Sequence, residues 1–154
     1  MMLMVRSVIS WVLALGLVFM FLQATIHPLP NPPEGSVKLF DPPGENIVFA
    51  TLAERSGIAL FEPTGRLAVA AAELFAALLL LIPWSRRFGA VLSFFILSGA
   101  VGLHLSPWLG REIPTSLTAD TPTDGGALFM LAIAMLVVSI LVVMIHPGRR
   151  ARGE

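Results

Sequence analysis

Four apolar stretches of close to twenty residues each, 8–26, 67–83, 88–107 and 127–145, constrain this 154-residue chain more than any other feature. A hydrocarbon layer about 30 Å thick takes about 20 helical residues at about 1.5 Å each, so every stretch has the length of one bilayer crossing. Inside the four stretches only Glu73 and His104 can carry a charge. The expected fold is all-α, a four-helix transmembrane bundle built as a single domain over 1–154. A long outer loop, 27–65, is expected to be Pro-rich and to hold a short interfacial helix.

Composition supports that class: apolar residues make up 56% of the chain and charged ones 13%, and mean hydropathy is +0.84, above the range of soluble domains. The formal net charge of zero conceals a polarised distribution. Arg6, Arg86, Arg87, Arg149, Arg150 and Arg152 fall at the N-terminus, the second connection and the C-terminus, which four crossings bring to one side. The other side carries Lys38, Arg55, Arg66 and Arg111 against Glu34, Asp41, Glu45, Glu54, Glu62, Glu112, Asp120 and Asp124. The positive-inside rule then puts both termini in the cytoplasm, with a negative outer face. Arginine outnumbers lysine nine to one in a chain rich in Ala, Gly and Pro, a bias that points to a bacterial inner membrane with a periplasmic outer side. The absence of cysteine excludes disulfides, iron–sulfur ligation, covalent c-type haem and thiol chemistry by this chain alone.

Met1–Arg6 followed by an apolar run has the outline of a secretory signal. The run is longer than the usual 7–15 residues, however, and position 22 is Leu where a small residue is wanted, so span one is read as retained. None of the 12 prolines lies inside a span; Pro83, Pro107 and Pro147 mark span ends, and seven more crowd between Pro28 and Pro63. Pro42-Pro43-Gly44 precedes a short helix predicted over 45–56 and stopped by Gly57, lying on the outer interface or capping the bundle. The 84–87 connection is so short that spans two and three must be antiparallel neighbours. Trp84, Trp108, Arg86 and Arg87 are read as interface anchors, and Asp124-Gly125-Gly126 as the entry to the last helix.

Glu73 lies about 10 Å below the outer surface, counting inward from Arg66. Such residues face the protein interior with a partner, and Ala70, Ala76 and Ala77 beside it let a helix come close. Two readings stand: a protonated Glu holding helices in register, or a ligand, proton or quinone role. His104, in a turn with Gly99, Ala100 and Gly102, lies at similar depth, so a Glu73–His104 pair is feasible, and His27 can join them. The candidate buried polar or ligand site is therefore Glu73, His104, Arg66 and His27. Two histidines and a carboxylate can in principle hold a metal, but the spacing matches no metal signature, so no metal and no other cofactor is expected beyond a possible quinone. His146 is read as interfacial. No phosphate-cradling loop or nucleophile elbow is present, and the tail arginines point to anionic lipid, not nucleic acid.

The run RLAVAAAELFAALLLLIPWSRRFGAVLSFFILSGAVGLHLSPW, with Arg66, Glu73, Arg86, Arg87, Gly89, Ala90 and His104, resembles the DoxX-like family of small four-helix membrane proteins. The HPGRR ending, with Pro147 and Gly148, is similar to that family's C-terminal Pro-Gly. Span one departs from the family pattern: Gln23-Ala24-Thr25-Ile26-His27 stands in place of a Gly-x-x-Lys-like stretch. The resemblance implies a link to sulfur-compound oxidation, quinone-linked electron transfer and oxidoreductase complexes. The expected role is a non-catalytic membrane subunit or anchor of a periplasmic or quinone-linked redox system, partnered by an oxidoreductase or by further copies of itself. The alternatives are a structural, assembly or cargo-binding protein without redox role, and a small-molecule carrier or membrane enzyme using Glu73 and His104.

Overall fold

Each apolar stretch becomes one helix. The computed structural model describes residues 2–29, 38–118 and 120–146. Among them are five α-helices: α1 (Met2–Thr25), α2 (Ile47–Ser56), α3 (Thr64–Leu81), α4 (Arg86–Leu105) and α5 (Ala127–Ile145). A single 3-10 turn, Ala59–Phe61, precedes α3, and the described residues contain no strand beyond one isolated bridge, Pro114 to Thr123. All of the helices except α2 are long and apolar enough to cross a membrane, the second candidate span counting the 3-10 turn with α3.

Punctuation in the sequence accounts for the helix limits. Helix α1 stops where His27 takes a left-handed φ of 53° ahead of Pro28, with the N–H groups of Ile26 and His27 both donating to the Leu22 carbonyl. Helix α2 begins at Ile47, two residues later than the predicted 45, behind the N-cap Asn46, whose side chain accepts from the Phe49 N–H at 3.1 Å. It ends at Gly57, whose φ of 71° suits a residue without Cβ. The predicted Pro-rich segment lies largely in residues 30–37, outside the described residues, as does the tail 147–154.

The four long helices pack in the cyclic order α1, α3, α4, α5, each against two neighbours. Arg6 at the start of α1 donates to the Met144 and Ile145 carbonyls at the end of α5, so those two run antiparallel, as do α3 and α4 across their short turn. One end of the bundle therefore carries the long loop (the loop end). The other carries the α3–α4 turn with the ends of α1 and α5 (the turn end). The main core joins Leu17, Phe21, Ala76, Leu80, Ala90, Leu97 and Val142. Close approach in the α3–α4 hairpin depends on Gly89, where an added Cβ would sit 2.7 Å from the Leu80 nitrogen. Ser93 and Ser139 are buried, but each hydroxyl donates to a carbonyl of its own helix, Gly89 and Leu136, so neither leaves an unsatisfied donor.

A second core closes the loop end. Phe49 and Leu52 of α2 pack with Leu109 and Ile113, and with Val69, Leu103 and Leu128 around them. Of the two placements open to the short helix, the structure has it capping the bundle. Arg55 fastens it there by donating to the Leu109 carbonyl at 3.2 Å.

Candidate functional site

The charged centre of the molecule is a chain of contacts that ties the loop to the bundle. Residues after the Pro-rich stretch return along the end of α1: the Lys38 N–H donates to the Ala24 carbonyl and the Leu39 N–H to the Thr25 carbonyl. This places the Lys38 side chain over α3, where Nζ meets Glu73 Oε1 at 2.6 Å. The other carboxylate oxygen, Oε2, accepts from the Thr25 hydroxyl at 2.9 Å. Glu73 is 4% exposed and faces the interior, as its depth and its alanine neighbours require.

Arg66, two turns before Glu73, is itself 2% exposed. Its Nε donates to both carboxylate oxygens of Glu62, at 3.0 and 2.9 Å, and Nη1 donates to the Lys38 carbonyl. Glu62 in turn accepts from the Gly44 N–H at 3.1 Å. Two cations and two carboxylates thus alternate through the backbone of residue 38. Charge is balanced within the cluster, which is the condition for burying it. Chemically the arrangement is a clamp: it holds residues 38–44 onto α1 and α3 with charge-assisted bonds.

The remaining candidates lie elsewhere. His104, for which a pair with Glu73 is feasible by depth, engages the Gly110 carbonyl through Nδ1 at 2.9 Å and packs against the Phe129 ring, 5.6 Å between centroids. The turn 106–110 folds that carbonyl back over the end of α4, so the imidazole is satisfied locally. His27 engages Gln23 one turn earlier on its own helix. No hydrogen bond or ion pair between described residues joins Glu73 to His104, His27 or Arg66 directly. No group of three or more His, Cys, Asp or Glu among the described residues has metal-holding geometry.

Beside His104, Asp124 organises the entry to α5. Its carboxylate accepts from the N–H groups of Ile113 at 3.0 Å, Gly126 at 3.0 Å and Leu128 at 2.9 Å. Burial pushes this carboxyl up, but the Leu128, Ile113 and Gly126 amides together with the charge of His104 outweigh it and hold Asp124 below the usual carboxylate range.

At the turn end, Trp84 and Arg87 are exposed, and Trp108 is exposed at the opposite end of the hairpin. Arg86 is different. Read as an anchor from sequence, it is fully buried, with its guanidinium 3.6 Å from the centroid of the Trp11 ring and Nε donating to the Leu80 carbonyl at 2.9 Å. An indole face can substitute for part of the water such a cation gives up. His146, read as interfacial, is also buried, between Ser10 Oγ at 3.0 Å and the Pro83 carbonyl at 3.1 Å. These contacts join α1, α4 and the end of α5.

Sequence reasoning did not single out Lys38, Thr25 or Glu62. One signal was available: Lys38 is the chain's single lysine, in the acidic connection 27–65, while Glu73 is the single carboxylate inside the four apolar stretches. Compared with protein-family models, curated proteins and solved structures, the chain matches none.

Proposed function

We propose that this chain is a DoxX-like integral membrane protein of a bacterial inner membrane. It crosses four times with both termini in the cytoplasm and serves as a non-catalytic subunit or anchor of a periplasmic or quinone-linked redox system. Insertion is supported by what the helices turn outward: Phe75, Phe88, Phe95, Met130 and Met144 are each more than half exposed, while Ser10, Ser93, Ser139, Arg66 and Glu73 are buried. The redox association rests on the resemblance of the 66–108 region to that family.

The observation that carries the non-catalytic reading is the engagement of Glu73. Both its oxygens are held, by a lysine from the loop and a hydroxyl from α1, leaving the carboxylate to fasten the loop. What the loop end then offers a partner is surface: exposed Glu45, Glu54, Glu112 and Asp120, with exposed Arg55 and Arg111, and exposed Phe40, Leu60 and Trp108. An excess of acidic side chains on a surface that also exposes apolar ones suits a partner with a basic patch.

Gentle purification from native membranes tests this, with an absorption spectrum of the product and identification of what accompanies it. An oxidoreductase recovered in stoichiometric amount is the expected result. A haem or flavin bound to this chain itself would overturn the non-catalytic reading, and recovery with assembly factors alone would favour a scaffold without redox role.

A further inference from the structure

The turn end holds a feature that the loop-end clamp does not explain. Between α4 and α5 runs an open groove of about 190 Å³, lined by Val91, Phe94, Ile140, Val143 and Met144 without a polar lining atom. On α4 the spacing 87, 91, 94 puts Arg87 on the same helix face as two lining residues, one turn nearer the bundle end. The Arg87 guanidinium reaches across to α5, with Nε and Nη2 each 3.4 Å from the Val143 carbonyl. Arg87 therefore stands at the mouth of the groove, with its side chain spanning the two helices that form the walls.

Among the described residues this charge has no ion-pair partner. Helices α1, α4 and α5 contain no Asp or Glu, while Arg6 lies on the other side of the α5 terminus, bonded to the Met144 and Ile145 carbonyls. Both contacts from Arg87 are long and use two of its five N–H donors, so the planar fork retains donors for a further acceptor. From Arg87 to Phe94 the helix descends about 10 Å. A cation at interfacial depth above an apolar trough is complementary to one kind of molecule, an anionic phospholipid with its phosphate at the fork and an acyl chain along the trough.

We propose that the α4–α5 groove is a selective site for an anionic phospholipid of the surrounding bilayer, with Arg87 binding the headgroup phosphate and Val91, Phe94, Ile140 and Val143 holding an acyl chain. The proposal rests on the membrane insertion argued above, and alkaline extraction of membranes tests that insertion separately. A soluble fraction there would remove the premise, whatever lipid binds in detergent.

Native mass spectrometry of the full chain, titrated with phosphatidylglycerol or phosphatidylcholine of identical acyl chains, reads the site. The wild type is expected to retain one phosphatidylglycerol in preference to phosphatidylcholine, and Arg87→Gln to lower that preference about fivefold. Val91→Trp, which fills the groove from an exposed position, should displace both lipids, whereas Arg87→Lys should keep part of the preference. Replacing Arg149, Arg150 and Arg152 by Gln should leave it unchanged. Loss of preference in that tail variant but not in Arg87→Gln would overturn the proposal in favour of diffuse basic attraction. A dimer that Val91→Trp dissociates would overturn it in favour of a second copy in the groove. If Arg87→Gln fails to yield folded protein, Val91→Trp decides alone, and undiminished lipid retention there refutes the site.

Discussion

Lys38→Met is the most informative perturbation, because the two partners of its ion pair are unequally placed. The Lys38 side chain is 21% exposed and the Glu73 side chain 5%. Removing the lysine strands a carboxylate that is almost fully buried, with only the Thr25 hydroxyl still bonded to it. Breaking a buried pair in this sense costs about 3–5 kcal/mol, and the partial opening beside residue 38 argues for the lower end, about 3 kcal/mol. Glu73→Gln leaves the mobile partner instead: the lysine can swing outward, and the amide keeps volume and a bond to Thr25, so about 1–2 kcal/mol is expected. Once Glu73 is Gln, adding Lys38→Met should cost little more, which gives a coupling of about 3 kcal/mol in the double-mutant cycle. Reversible unfolding in mixed micelles, followed by helical circular dichroism, measures all four proteins. Equal costs for the two single variants with no coupling would refute the clamp, and so would a Lys38→Met protein within about 0.5 kcal/mol of wild type.

Further outcomes follow from the same geometry. Gly89→Ala sets a methyl 2.7 Å from the Leu80 nitrogen, which is backbone and cannot swing away, so a loss of about 1–3 kcal/mol is expected in the same unfolding assay. Asp124→Ala removes three N–H acceptor contacts at the entry to α5 and should cost about 1–2 kcal/mol. Because Asp124 titrates below its unfolded value, its contribution is present above the ordinary carboxylate range and is lost as pH falls through its folded pKa. The gap between wild type and Asp124→Ala, read as stability against pH, should therefore narrow on acidification. Arg86→Met should quench the interaction with Trp11 and shift the emission of that tryptophan, whereas Arg87→Met should leave it unmoved.

Periodicity and proline placement made the helices legible: the window 127–145 is α5 itself, and 67–83 and 88–107 each lie within three residues of α3 and α4 at either end. Helix α1 begins at Met2, six residues before the apolar window, because helix formation continues past the lipid-length stretch to the point where Arg6 meets the end of α5. The burial of Glu73 was readable from its depth, but its partner was not. Lys38 is 35 residues away, and it reaches Glu73 only because two backbone bonds to Ala24 and Thr25 fix the path of an aperiodic segment. The partner of His104 was not readable for a related reason: depth along a helix shows what is within range, not which acceptor a nearby turn will supply, and here that acceptor is the Gly110 carbonyl. Arg86 and Arg87 are adjacent and chemically identical, yet one is buried and one exposed. Only their angular position on α4 separates them, and that becomes meaningful once the neighbours of α4 are known.

The measurement that bears most directly on the central claim is the sidedness of the two bundle ends. The chain has no cysteine, so each introduced thiol is unique. Phe40→Cys and Leu117→Cys report the loop end and Trp84→Cys the turn end, all at exposed positions. In intact cells with a permeabilised outer membrane, a membrane-impermeant maleimide should label the first two and reach the third only after the inner membrane is lysed. Labelling of Trp84→Cys from outside, or of all three alike, would contradict a four-span protein that presents its clamped loop to the periplasm.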